Sequence, residues 1–296
     1  MSERDAITVG EAAEQAGNYL DASAAYSAAL TDDDESVVAD AQFHLGRVSW
    51  RQGRYDDAVS HYEAARQIAM RRDDDELRAR VENGIGAVHH GRGAYAQSRA
   101  SYGVALDLAK DETQRGRILL NLGAVANIEG DFESARAHYT KSRAVFQRTG
   151  HKRGEASALN NLGMLNADEG RWVDADDAYR RCLELLESLK DRHGVASVLL
   201  NRSELDCARG ESTAAIASCD LALSIYTDVG DDAGRAEALR WRGHALQQLA
   251  RFAEAERALT DALRIAKRLQ IDPLEAEITQ DLAEAAAQRA QADHGE

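Results

Sequence analysis

The constraint that governs this chain is where it can afford to be small. A small residue recurs at Gly10, Gly46, Gly86, Gly123, Gly163, Ser203 and Gly243, at intervals of 36, 40, 37, 40, 40 and 40 residues. Seven residues after each comes a second one: Gly17, Gly53, Gly93, Gly130, Gly170, Gly210 and Ala250. Two further on stands a ring or its substitute, from Tyr19, Tyr55 and Tyr95 to Phe132, Trp172, Ser212 and Phe252. Alanine or serine follows at twelve (Ala22 to Ala255), a ring at sixteen (Tyr26, Tyr62, Tyr102, Tyr139, Tyr179, then Cys219 and Leu259), and a small residue at nineteen. Self-similarity at periods near 40 residues is the signature of a repeat architecture.

Each column has a physical reading. A glycine inside a helix costs up to about 1 kcal/mol relative to alanine, which a close helix–helix approach can offset. The second glycine falls where the first helix ends and suits a left-handed C-cap. The ring, the small residue three later and the second ring four later share one face of a second helix. Each unit is therefore expected to be a helix, a tight turn and an antiparallel helix. Acidic joints such as 31–36 (TDDDES) and 72–77 (RDDDEL) supply N-caps for the following helices. Asp272-Pro273-Leu274-Glu275 reads as the start of one more helix, reaching to about Gln291, which caps the stack.

These columns resemble the tetratricopeptide repeat family. Its leucine-glycine, glycine-x-aromatic, alanine, aromatic and alanine positions are met by Leu45-Gly46, Gly53-x-Tyr55, Ala58, Tyr62 and Ala65. The pattern recurs around Leu122-Gly123 and Leu162-Gly163. Most units here run 40 residues rather than 34, and the proline that commonly ends the second helix is absent. The longer units resemble those of kinesin light chains and of G-protein-signalling modulator adaptors. The resemblance implies an all-α, right-handed superhelical solenoid over residues 1–296. Its repeats are expected at about 3–38, 39–78, 79–115, 116–155, 156–195, 196–235 and 236–271, with a capping helix over about 272–292. Unit six departs furthest, with Ser203, Ser212 and Cys219 in place of glycine and two rings.

Composition narrows the partners. Fifty-one acids against 36 bases give a net charge of −15, which disfavours nucleic acid and anionic membranes as general partners. The N-terminus has no apolar core of signal-peptide type, and no 18-residue apolar window is present. Three cysteines without metal-ligand spacing read as small core residues in a reducing, cytoplasmic compartment. No two of the nine histidines share the helical spacing of metal ligands, and Gly84-x-Gly86 lies inside a repeat helix rather than after a strand. No Walker loop or nucleophile motif occurs. A non-catalytic chain without cofactor or metal is the expectation.

In the resembling family the first helices line the concave face. Positions six and two before the marker, and one and five after it, share that face. They hold Arg47 and Arg51 in unit two, Arg80 in unit three, Arg117 and Asn121 in unit four, Asn161 in unit five, Asn201 in unit six and Trp241 in unit seven. Asn83 and Asn160 lie one residue earlier, and Trp50 is either an anchor or a core residue. An amide both donates and accepts, so Asn121, Asn161 and Asn201 at one equivalent site suit an extended peptide backbone; alternatively, they bridge neighbouring helices. Asn201-Arg202-Ser203 resembles the asparagine-bearing segment of carboxylate-clamp co-chaperones, but the lysines that complete that clamp are not evident. The arginines suit carboxylates. The expected partner is thus a protein or peptide with acidic side chains, held by a scaffold or adaptor. The alternative is a regulatory sensor whose array changes shape on binding a small peptide or ligand. Such sensors usually carry an effector domain, and none is legible before residue 3 or after residue 292; the adaptor is the expectation for a complete chain, and the sensor stands level with it for a piece of a longer protein.

Overall fold

Aspartate and asparagine start helices here at regular intervals. Asp34, Asp74, Asp111, Asp131, Asp191 and Asp231 each accept a backbone N–H from the first turn of the helix that follows. Asn18 does the same. These seven caps belong to a computed structural model that describes residues 3–294, with side chains over 6–292, and that has fifteen α-helices over those residues. They are α1 Glu3–Gln15, α2 Tyr19–Ala28, α3 Glu35–Arg51, α4 Tyr55–Arg71, α5 Asp75–Gly91, α6 Tyr95–Leu108, α7 Glu112–Ile128, α8 Phe132–Thr149, α9 Lys152–Asp168, α10 Trp172–Ser188, α11 Arg192–Ala208, α12 Ser212–Val229, α13 Asp232–Gln248, α14 Phe252–Leu269 and α15 Asp272–His294. Among the described residues there is no strand. The fold is all-α, of stacked helical hairpins.

The chain divides into two compact units, Met1–Gly154 and Glu155–Glu296. In the first, α1 packs on α2, α3 on α4, α5 on α6 and α7 on α8, and each pair packs on the next. In the second, α11 packs on α12 and α13 on α14, and α15 covers the last pair through Leu274, Ile278 and Ala285. Residues from α9, α10 and α11 share one core cluster around Leu159, Tyr179 and Leu205.

The glycine column is explained by the ring column of the same unit. A Cβ placed on Gly46 would lie 2.7 Å from the ring of Tyr62, one on Gly86 2.6 Å from Tyr102, and one on Gly123 2.5 Å from Tyr139. Gly163 meets Tyr179 in the same way, at 2.5 Å. The ring of the second helix lies directly on the backbone of the first. Unit six, which has Cys219 instead of a ring, tolerates Ser203 at the marker, and both are fully buried. Unit seven keeps Gly243 against Leu259, 2.7 Å from a Cβ there, so a large second-helix side chain goes with glycine and only the small Cys219 goes with serine.

The second glycine column ends the first helices in the left-handed region: Gly53 has φ of 71°, and unit seven places Ala250 there at 57°. An L side chain in that region costs roughly 1–2 kcal/mol, which glycine avoids. The second helices end likewise at Gly150 and Gly230, and at the non-glycine residues Asp73, Lys190 and Gln270. Among the described residues no helix is long and apolar enough to cross a membrane. All three cysteines are buried as free thiols, and burial raises their pKa values to about 12, 12 and 11 at Cys182, Cys207 and Cys219.

Candidate functional site

On the first helices of the first unit, the inner-face positions do not all carry large side chains. Gly84 stands two residues before its marker, where α3 has His44 and α7 has Asn121. Ala87 and Ala124 stand one after theirs, where α3 has Arg47. Three small residues on two neighbouring helices leave a recess of about 270 Å³ between larger neighbours. Phe43, Trp50 and His90 supply aromatic walls, Asn83 and Asn121 an amide edge, and Tyr62 lies at the bottom. A volume this size is below the usual range for drug-sized ligands, roughly 300–1,000 Å³. It is large enough for one side chain.

The amides are already ordered. Asn121 Nδ2 donates to Asn83 Oδ1 at 3.0 Å, from α7 to α5. The second unit repeats the device: Asn201 Nδ2 on α11 donates to Asn160 Oδ1 on α9 at 2.8 Å. The position two before the marker thus bonds to the position three before it in the preceding unit. The Asn161 side chain makes no hydrogen bond among the described residues. Two of the three equivalent asparagines therefore bridge neighbouring first helices, while keeping a free carbonyl lone pair or N–H for a ligand.

Three of the four arginines have partners within the protein. Arg47 Nη2 donates to Glu14 Oε2 at 2.6 Å, and Arg51 Nε lies 3.5 Å from Oε1 of the same carboxylate. Glu14 is buried and also accepts from the Tyr26 hydroxyl at 3.1 Å. Arg80 Nη1 donates to Asp40 Oδ1 at 3.0 Å, and its guanidinium lies 4.2 Å from the centre of the Phe43 ring. In a chain so rich in acids, guanidinium groups on a crowded face find carboxylates first. Arg117 is the exception: it is exposed, and no carboxylate pairs with it among the described residues. It lines a second hollow of about 290 Å³ that shares Phe43, Arg47, Arg80 and Asn83 with the recess. Arg51 lines a third, of about 500 Å³, with Tyr19, Trp50, Tyr55 and His90.

His44, on the wall of the second hollow, is held neutral. Burial, then the nearby Arg47 and Arg80 charges, push its pKa down to about 3. It stacks on Tyr26 with ring centres 4.9 Å apart.

The structure brings Arg47, Arg80 and Asn121 together in the recess and sets Arg117 and Arg51 in the adjoining hollows. Asn161, Asn201 and Trp241 stand in the second unit. There Trp241 lies 5.3 Å from His244, which with Arg240 engages Asp281 of α15 (3.1 and 2.6 Å). Nearby Glu204 has its pKa raised by burial and by Asp168. Sequence reasoning had passed over Phe43, Tyr62, Gly84, Ala87, His90 and Ala124. The legible signal was the run of small residues one after the marker in units three and four, where the other units carry Glu11, Arg47, Met164, Glu204 and His244.

Helical hairpins with this column pattern and a side-chain-sized recess on their first helices define a repeat protein of the interaction class. The tetratricopeptide repeat model matches residues 37–111, 114–188 and 194–268, and the chain belongs to that family. Over 225 residues, 64% of the chain, it is 27% identical to regulatory protein AfsR of Streptomyces griseus, covering 23% of that protein. Over 99 residues, 31% of the chain, it is 31% identical to photosystem I assembly protein Ycf3 of Rippkaea orientalis, covering 54% of it. The chain thus spans about a quarter and about half of these two relatives. Among solved structures, a Rap protein complexed with competence and sporulation factor matches with a TM-score of 0.64 at 17% identity, over 95% of this chain and 74% of that one. That likeness is one of fold. The family and the fold make this chain a protein-interaction scaffold or regulator.

Proposed function

We propose that the chain is a non-catalytic adaptor that holds a peptide segment of a partner protein against the first helices of its first unit. The observation that carries the reading is the recess left by Gly84, Ala87 and Ala124, with aromatic walls and an ordered amide pair at its edge. Aromatic and arginine side chains around a pocket are what concentrates binding energy at peptide interfaces. Asn121 and Asn83 offer their remaining donors and acceptors to the peptide backbone, each neutral hydrogen bond contributing about 0.5–1.5 kcal/mol net. Acidic side chains of the peptide meet Arg117, the first-helix arginine of this unit without an internal carboxylate. Added salt therefore weakens binding. Asn161, Asn201 and Trp241 offer contacts of the same kind to a peptide segment on the second unit. The three buried thiols suit a reducing, cytoplasmic setting.

The test is a random-peptide display selection on the full chain, followed by titration of the selected peptides. Ala87→Leu and Ala124→Leu fill the recess without touching the buried core, and each should weaken binding at least tenfold while leaving thermal stability within a few degrees. Selected peptides that bind both variants as tightly as the parent would show that the recess is not the site. The similarity to regulatory protein AfsR favours, as a second reading, a sensor in which the bound peptide alters the array and so controls an effector. A peptide-induced change in the scattering radius of the full chain would distinguish it from a passive scaffold.

A further inference from the structure

The bottom of the recess has a polar group with nothing to bond. Tyr62 is 2% exposed, and its hydroxyl has no hydrogen-bond partner among the described residues. In unit one the equivalent ring, Tyr26, gives its hydroxyl to Glu14, four residues after the marker glycine. In unit two that position is Trp50, which offers Tyr62 no acceptor. The hydroxyl end of Tyr62 instead lies against Gly84, where a Cβ would come within 2.9 Å of the oxygen. Because Gly84 has no side chain, this end of the ring borders the recess. Burial raises the Tyr62 pKa, so the group stays a neutral O–H that both donates and accepts. The hydroxyl is open to the recess, so the polar tip of an occupant can bond to it in place of water.

We infer that the recess selects a tyrosine of the partner peptide, its ring between the aromatic walls and its hydroxyl bonded to Tyr62 Oη. The inference rests on the peptide-holding reading above and names the side chain it takes. A flat ring suits walls made by Phe43, Trp50 and His90. The polar tip has to be neutral. Arg47 and Arg80 border the same recess and repel a lysine or arginine tip, while Glu14 and Asp40 already neutralise them and leave little attraction for an anion. A site built to hydrogen-bond a hydroxyl rejects the analogue without it more strongly than an apolar pocket rejects a missing methylene.

The probes are N-acetyl-tyrosinamide, N-acetyl-phenylalaninamide and N-acetyl-phosphotyrosinamide, titrated into the full chain. The indole N–H resonances of Trp50, Trp172 and Trp241 are the readout. The tyrosine amide should move the Trp50 signal with an affinity at least fivefold above that of the phenylalanine amide, and the phosphotyrosine amide should be weakest. In Tyr62→Phe, which removes one oxygen and keeps the ring on Gly46 and Gly84, the tyrosine preference should fall below twofold. Equal binding of the tyrosine and phenylalanine amides to the parent would overturn the tyrosine assignment while leaving an apolar anchor site in place. Strongest binding by the phosphotyrosine amide would overturn the neutral tip. If neither amide moves Trp50, the anchor assignment fails; peptides blocked by Ala124→Leu would still support the wider reading.

Discussion

Tyr139 and Gly123 show how single atoms set the pattern of this chain. Tyr139 is 3% exposed, and its ring occupies the space a Cβ on residue 123 would need. Alanine or serine there gains up to about 1 kcal/mol of helix propensity but forces the ring aside, and overpacking of this kind costs roughly 1–3 kcal/mol. The clash wins. Unit six carries the relieved combination, Ser203 with Cys219, where the serine hydroxyl donates to the Leu200 carbonyl at 2.7 Å. Gly123→Ser and Tyr139→Cys should each destabilise the protein, yet together cost at least about 1 kcal/mol less than their sum in denaturant titrations. Additive effects would mean that the columns vary together for another reason. This level of the structure was legible in the sequence, because two small columns and two ring columns at fixed offsets admit one kind of contact. The hydroxyl of Tyr62 was not, since its lack of a partner depends on Trp50, Gly84 and the neighbouring first helix together.

Each hairpin is stabilised by its own ring contact and by its neighbours, so a hairpin that loses rings should open first. Unit six, α11 with α12, has Cys219 where the others have tyrosine or leucine and Ser212 where they have tyrosine, phenylalanine or tryptophan. Its polar replacements are satisfied: Ser212 donates to Gln248 Oε1 at 2.6 Å, and Gln248 Nε2 donates to the Cys207 carbonyl at 3.1 Å. Satisfied hydrogen bonds keep the element specific. They do not restore the apolar area of a ring, at roughly 25 cal/mol per Å². Amide exchange should therefore reach residues 197–230 before units four and five; equal protection factors would contradict this. Helix positions were readable from caps and glycines, but the non-glycine ends at Asp73, Lys190 and Gln270 were not, because nothing in their residue type signals a positive φ. The inter-helix asparagine bonds were half readable. The equivalent column named Asn121, Asn161 and Asn201, while the acceptors Asn83 and Asn160 come from the preceding unit, and the residue equivalent to them in unit four is Leu120.

For the molecule as a whole, sequence and structure agree on a family and a fold class but divide the candidate site differently. A net charge of −15 made the first-helix arginines stand out as ligand contacts, yet the same excess of acid provides Glu14 and Asp40 to hold Arg47, Arg51 and Arg80. The proposed site is marked instead by missing volume, at Gly84, Ala87 and Ala124, beside one unpaired arginine. Volume left by small residues on separate helices is a tertiary property. It emerges only when the units are stacked. A partner peptide is proposed to lie on α3, α5 and α7 of the first unit. Hydrogen–deuterium exchange of the full chain, with and without a saturating display-selected peptide, tests it most directly. Bound peptide should add protection over residues 43–51, 80–90 and 117–124, with α4, α6 and α8 unchanged. Protection confined to the second helices α4 and α6, or to α11–α14, would contradict it.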